Sequence, residues 1–377
     1  MSNDILEYAP AGAPRVPAPR PRRRYLRVRR ALPHLAAFTA ALVLPFMVST
    51  GNLHLAVSVL IAAIGAVGLD VLTGRTGQVS LGHAFFLGVG ALVGAKLGSD
   101  YGMDLLIWIP VAGVVTGLLG GLVGPIALRL RGLYLALVTM ALVFIGINIF
   151  NNWTWLSGGS VGRAISAPRL GSLDFATSKT IGGLSFSPDG LFYYLALFIL
   201  ALTMLFVANL AGGRSGREMA AVRERELAAA VLGVDVTRTK ITAFIVSSAL
   251  AGVSGALYGA FHGYTTPAQD YGFPVSINYV VMVVVGGLAT TYGPLFGALF
   301  VIGLPVLFQH NAAWFPLIQD SAGVGGGLSA GNAATFIFGL TLIVFLLFEP
   351  HGVVGVGTRL TAVLRRRSTP TGKGISQ

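Results

Sequence analysis

GGRSGREMAAVRERELAAAVLGVDVTRTKITAFIVSSALAGVSGALYGAFHG, residues 212–263, changes character halfway along. Its first half carries Arg217, Glu218, Arg223, Glu224, Arg225 and Glu226; its second half is an apolar span. Ser215 and Glu218 have the spacing of a capping box, which predicts a helix start there. The helix is expected to run to Leu232 and stop at Gly233, the residue type that takes a left-handed C-terminal cap. Asp235 or Thr237 then caps a second helix that enters the membrane near Ile241. Ala229 and Gly233, four apart, share one helical face. A short charged helix between two membrane spans is not a feature of the lipid-embedded part; a helix that docks in a cleft of a soluble partner has this composition.

The rest of the chain fits a membrane setting. Of its 377 residues 54% are hydrophobic and only 11% charged, with a mean hydropathy of +0.76. Soluble domains average about a quarter charged residues. Glycine numbers 51, and small residues let membrane helices approach closely. A net charge of +12 in a soluble chain would point to nucleic acid; here the basic runs flank apolar spans, which points to orientation and anionic lipid. With no cysteine, disulfides, thiolate metal sites and cysteine nucleophiles are excluded.

Residues 1–32 are rich in Pro, Ala and Arg and lack apolar periodicity, so they read as a disordered basic tail. A cleaved signal peptide fits poorly, because no small-residue site closes the first apolar run. Residues 33–350 form the membrane domain, and 351–377 a second tail. Apolar segments fall near 33–50, 54–74, 78–97, 104–128, 132–150, 190–211, 241–262, 276–291, 294–309 and 334–348. The expectation is an all-α polytopic protein of about ten transmembrane helices, the shortest three below the roughly 20 residues a crossing needs. All but four of the 26 Lys and Arg (Lys96, Arg163, Arg169 and Lys179) then fall on one side. By the positive-inside rule that side is cytoplasmic, with both termini and the 212–240 loop on it. Interrupted Gly-rich spans, Gly74–Gly98 and Gly286–Gly303, sit in the two halves and suggest an inverted repeat around a transport pathway.

Family resemblance sharpens this. Residues 212–240 resemble the cytoplasmic coupling loop of an ABC-importer permease. GREMAAVRERELAAAVLGVDVTRTKITAFIVSSALAGVSGALYG is similar to the LivM-type permeases of branched-chain amino-acid importers, with its Glu-Ala-Ala pattern relaxed to Glu226-Leu227-Ala228-Ala229. Gly74–Gly90 (GRTGQVSLGHAFFLGVG), Leu128–Thr139 (LRLRGLYLALVT), Met282–Ala298 (MVVVGGLATTYGPLFGA) and Phe348–Gly352 (FEPHG) agree in family order. Asn278 and Glu349 depart from it, standing where an acidic and a basic residue are expected. The resemblance implies a bacterial inner-membrane permease, a second permease subunit, two separate ATPase subunits and a soluble binding protein that delivers substrate. Leucine, isoleucine and valine lead the implied substrates; urea, short amides and other amino acids are served by close relatives.

Candidate residues follow. Arg217, Glu218, Arg223, Glu224, Glu226, Ala229 and Gly233 form the expected ATPase-coupling set. Gln78, Ser80, His83, Asn148, Asn152, Gly286 and Gly287 are candidates for the translocation pathway, since polar groups in a span face the bundle interior or water. Gln78 and Ser80 equally suit backbone groups freed by the glycines, and His83 a single buried hydrogen bond. The 151–189 loop, with Trp153 and Trp155, reads either as a gate and docking surface or as a passive interfacial loop. No HExxH occurs, the six histidines are scattered, and no GxxxxGK[ST] cradles a nucleotide. Nothing in the sequence calls for a catalytic residue, a metal or a cofactor, and ATP hydrolysis falls to partner chains. An ion-coupled transporter would need intramembrane carboxylates, and only Asp70 and Glu349 lie near span ends.

Overall fold

Runs of apolar residues with no internal polar partner close their own backbone bonds as helices, and the chain is built almost wholly of them. In this computed structural model, the residues described are 39–127, 130, 132–171, 173–181, 184–310, 318–319, 328–329, 336, 338–344, 347 and 352. The expected N-terminal tail, the C-terminal tail apart from Gly352, and most of 311–333 lie outside them. The chain divides into two units, 1–48 and 49–377. In the first, helix α1 covers 39–47.

The second unit opens with α2 (Thr50–Leu69), prolonged by a π-helical turn at Asp70–Arg75. After a non-helical stretch come α3 (His83–Ala95), a π-helical turn at Lys96–Asp100, α4 (Leu105–Ala127) and α5 (Leu133–Asn152). The loop that follows holds the four-residue α6 (Thr154–Ser157) and short strands β1 (Arg163–Ala164), β2 (Arg169–Leu170), β3 (Leu173–Asp174), β4 (Lys179–Ile181) and β5 (Leu184–Phe186). Then follow α7 (Pro188–Gly212), α8 (Arg214–Glu224), α9 (Glu226–Val231) and α10 (Val236–His262). Strand β6 (Tyr264–Thr265) pairs antiparallel with β1, tying this loop to the end of α10. Last come α11 (Pro267–Asp270), α12 (Phe273–Gly286) and α13 (Gly293–His310).

Among the described residues five helices are long and apolar enough to cross a membrane: α2 with its π turn, α4, α5, α7 and α10. The expected count of about ten is thus met only as an all-α membrane architecture. Helices α3 and α12 have 13 and 14 residues, too short for a full crossing, and each is entered through non-helical backbone.

Helix α10 is the centre, packed against α2, α3 and α4. Its small residues let this happen: Ala251, Gly252, Ser254, Gly255 and Ala256 are all buried. A Cβ on Gly90 of α3 would overlap the Gly252 carbonyl, and one on Gly255 would overlap the Leu87 carbonyl. These helices touch backbone to backbone, as close as membrane helices come. Ser254 Oγ donates to the Ile61 carbonyl of α2 at 2.7 Å and lies 3.4 Å from Tyr279 Oη of α12, adding polar ties inside the apolar core.

Candidate functional site

The coupling segment differs from its expected shape in three respects. The Ser215–Glu218 capping box does not form. α7 turns directly into α8 through Gly213, which takes the N-cap position, so Ser215 already lies in the first turn. Glu218 instead accepts from Arg214 Nε at 2.7 Å. Nor does one helix run to Leu232: Arg225 is extended (φ −156°, ψ 107°) and splits α8 from α9. The break has a tertiary cause. Met219 and Val222 anchor α8, Ala229 anchors α9, and Glu226, at the head of α9, pairs with the buried Lys240 of α10. Finally, Ala229 and Gly233 do not share a packed face: Ala229 is buried against its own chain, while Gly233 is exposed with nothing near its Cβ direction.

Two expectations hold. Gly233 has φ +83°, and Val234 N donates to Ala229 O and Gly233 N to Ala230 O, each at 3.0 Å. This is the Schellman pattern, and it favours glycine because a Cβ is disfavoured in the left-handed region. Asp235 caps α10 by accepting from Arg238 N at 2.9 Å.

What the segment presents outward is apolar as well as charged. Leu227, Val231 and Leu232 are 76%, 88% and 81% exposed. Arg217, Arg223 and Glu224 are exposed beside them, and Glu218 is half-buried. Arg223 also reaches back to the first helix break, where a Cβ on Gly77 would lie 3.4 Å from its Cγ.

That break, residues 76–82, is held by hydroxyls and amides. Gln78 N donates to Leu72 O at 3.2 Å, Gln78 Nε2 to Thr76 Oγ1 at 3.1 Å, and Gly82 N to Ser80 Oγ at 3.3 Å. Leu81 N donates to Thr139 Oγ1 of α5 and Ala84 N to Ser276 Oγ of α12, both at 2.9 Å. Ser80 therefore serves backbone freed by the break, whereas the Gln78 side chain reaches only the Thr76 hydroxyl. His83 is buried, with its ring 4.8 Å from that of Tyr279 and its Nε2 without a partner among the described residues.

The second break, 287–292, joins the first at the same end of the bundle. Asp70, 1% exposed, accepts from Ala289 N at 2.7 Å and lies 3.5 Å from Arg75 Nε. Gly287 has φ +112°, and Ala289, at φ +59°, is the one non-glycine with positive φ among the described residues. A Cβ on Gly286 would overlap the Gly293 carbonyl. A third interruption, 263–272, falls between the apolar segments expected at 241–262 and 276–291, where Gly263, Pro267 and Gly272 punctuate the chain.

Polar side chains also face outward from the spans. Asn148 and Asn152 of α5 and Asn278 of α12 are exposed. Asn152 Nδ2 donates to Asn148 O at 2.8 Å and lies 3.2 Å from Asn148 Oδ1. The two helices meet where the Phe144 and Phe273 rings lie 6.0 Å apart. Sequence reasoning missed Thr139, Ser276, Tyr279 and Lys240, whose types are ordinary and whose partners lie far away in sequence.

At the opposite end, Asp100 pairs with Lys96 (2.6 Å) and with Arg163 of β1. Lys96 Nζ donates to Trp155 O at 3.2 Å and lies 4.1 Å from the Trp155 ring centroid. The Lys96 hydrogen bond, supported by Arg163, holds the Asp100 carboxyl below the usual carboxylate range. His54 of α2 lies 3.6 Å from Asp189 at the start of α7.

The comparisons agree with this architecture. Residues 52–346 match the family described as branched-chain amino acid transport system / permease component. The chain is 35% identical over 289 residues to the high-affinity branched-chain amino acid transport system permease protein LivM of Salmonella typhimurium, covering 73% of this chain and 68% of the relative. To the LivM protein of Escherichia coli K12 it is 34% identical over the same shares. It is 27% identical over 222 residues to a probable LivH permease of Methanocaldococcus jannaschii, covering 59% of this chain and 64% of that one. No solved structure matches it. With most of its length inside the family match and about a third of the aligned residues identical in two LivM proteins, the chain belongs to the branched-chain amino acid transport permease family.

Proposed function

We propose that this permease carries branched-chain amino acids across the inner membrane, paired with a second permease subunit and driven by two separate ATPase chains. A soluble binding protein supplies the substrate. The observation that carries the reading is the α8–α9 knob. Three large apolar side chains stand exposed, Leu227 and Val231 on a six-residue helix and Leu232 at its C-cap, rimmed by charge and tied to the α10 membrane helix by Glu226 and Lys240. An exposed apolar patch with a polar rim marks a protein contact site. A shift of the knob by an ATPase would pass to α10 through the ion pair of half-buried Glu226 with buried Lys240, and to the first break through Arg223.

Asn148, Asn152 and Asn278 support a pathway on the α5–α12 face, completed by the second permease, because uncharged amides are poorly suited to lipid and well suited to water or a partner helix. In this reading Gln78, Ser80, His83, Gly286 and Gly287 shape the pathway from behind rather than line it. The coupling segment and Arg75 lie at one end of the bundle, and Lys96 and Arg163 at the other; this supports a cytoplasmic knob and cytoplasmic termini. Cysteines at Ser2 and Ser368 in this cysteine-free chain are then expected to resist an impermeant thiol reagent in intact cells.

The deciding experiment is Leu227→Glu with Val231→Glu in the reconstituted transporter. Both side chains are exposed, so folding and membrane insertion are retained. ATPase subunits are expected to dissociate and uptake to stop. Retained ATPase binding and ATP-driven uptake would defeat the reading, and so would uptake that ceases on collapse of the proton gradient with ATP present.

A further inference from the structure

Asp70 sits where α2 passes into its π turn, and it is 1% exposed. A carboxylate buried in such a place is costly unless charge and hydrogen bonds compensate it. Its Oδ1 accepts from Ala289 N at 2.7 Å, across 219 residues of chain. That bond alone does not call for a charge, since a neutral amide oxygen would accept it as well. Arg75 answers the charge only loosely: its Nε lies 3.5 Å from Oδ2 and makes no hydrogen bond among the described residues. The second positive charge that acts on the carboxylate is Arg223 of α8.

The backbone around this carboxylate is cleared for the contact. A Cβ on Gly74 would overlap Asp70 Oδ1 and come within 2.7 Å of Ala289 N, so any side chain there would part the carboxylate from the turn. Ala289 is held at φ +59°, a conformation that a non-glycine residue keeps only where its surroundings impose it. The bond from its amide to Asp70 is one such constraint. Thr290 Oγ1, which donates to Gly287 O at 2.7 Å and accepts from Gly293 N at 3.1 Å, is another. The turn leads straight back into Gly286, the last residue of α12. On the other side α8 runs close by, since a Cβ on Gly77 would lie 3.7 Å from the Arg223 Cα. One buried carboxylate thus joins the start of the first break, the second break and the coupling helix.

We propose that Asp70 is a positioning residue for transport, whose charge ties Arg223 of the coupling helix to the 287–292 turn and so passes movement of α8 to α12. This rests on the ATP-driven reading above and adds a second route to it. The Glu226–Lys240 pair moves α10, and Asp70 moves the end of α12, the helix that carries Asn278 on the face assigned to the pathway. Arg223 is exposed, so it follows α8 without burying or unburying a charge of its own.

The chain has no cysteine, so a spin label at Leu288→Cys, 39% exposed, marks the turn when the partner subunits are used in cysteine-free form. Complexes in nanodiscs are isolated through a tag on the ATPase subunits, so that only assembled transporter is read. ATP is expected to change the mobility of the label. Asp70→Asn keeps an oxygen that accepts from Ala289 N and removes the charge. ATPase subunits should stay bound and the spectrum without ATP should be unchanged, while the ATP-dependent change is lost and uptake falls roughly tenfold. Arg223→Gln, a surface change that leaves the buried carboxylate in place, should lose the same response. The double variant should be no worse than either single one, a coupling that a merely structural role for Asp70 would not produce. Losses that multiply to about a hundredfold in the double variant, or an ATP response that survives in Asp70→Asn, overturn the proposal. Failure of the ATP-driven reading shows differently, as uptake by the parent protein that needs no ATP.

Discussion

Glycine does opposite work at the α3–α10 contact and at the turn between α9 and α10. At Gly90, Gly252 and Gly255 it removes a side chain so that two helices meet backbone to backbone. At Gly233 nothing lies near, and glycine is required only by φ +83°. The first region is a trunk with no slack; the second is a hinge-like turn that presents a helix to the outside. Packing protects the trunk, whereas the knob is held by a cap, an ion pair and the three buried side chains Met219, Val222 and Ala229.

The trunk should break hardest. Gly255→Leu drives a side chain into the Leu87 carbonyl, which cannot yield, and is expected to cost about 3 kcal/mol or more. Thermal unfolding of the purified protein reads this loss; a near-normal midpoint would show that α3 and α10 can separate cheaply.

Next comes the knob's anchor. Glu226→Leu leaves Lys240, with a side chain 7% exposed, without its partner. The expected cost is about 2 kcal/mol, below the usual range for a broken buried pair because Glu226 itself is partly exposed. Proteolysis at Arg225 should accelerate, and adding Lys240→Met should reverse much of the effect. Equal protease sensitivity in the single and double variants would show that the pair does not hold α9.

Gly233→Val should cost about 1–2 kcal/mol through backbone strain alone. Its thermal midpoint should barely move, because the trunk is untouched, while ATPase stimulation and uptake fall together. Gly233→Asn, a residue that tolerates the left-handed region, should restore most of the coupling. If Val and Asn behave alike, conformation at this turn is not what matters.

The smallest effect concerns acid. The Asp100 carboxyl is held below its ordinary range by Lys96 and then Arg163, so the tie it makes is present at neutral pH and is lost as pH falls through that lowered value. A spin label at Ser160→Cys should keep constant mobility from neutral pH down and loosen only below about pH 4. Loosening near pH 6 would point to a histidine instead.

Local chemistry was the legible part of the sequence. Gly233 and Asp235 could be read because a left-handed cap and a carboxylate N-cap are decided within a few residues. Ser215 misled for a related reason: its motif was present, but Gly213 took the cap first. The split at Arg225 had no local signal, since the stretch around it is rich in good helix formers. It is made by Lys240, 14 residues from Glu226 in sequence. Hydropathy found the apolar segments, yet it cannot tell a full crossing from a helix that starts inside the bundle, as α3 and α12 do. The exposure of Asn148 and Asn278 and the bond of Asp70 to Ala289 N are properties of the assembled fold, so no reading of letters reaches them.

The backbone contacts of α3 with α10 also restrict how the molecule can move. A turn of α3 about its own axis, or a slide along α10, would bring a side chain to where Gly90 now meets Gly252 or Gly255 meets the Leu87 carbonyl. Thr116 of α4 locks the other side, because a Cβ on Gly252 would overlap its hydroxyl. The three helices are therefore geared like meshed teeth with no play and must travel as one block. Whatever opens the protein to one side of the membrane and then the other must turn on the seams around that block, and α10, held by the knob at one end and by β6 at the other, is its handle.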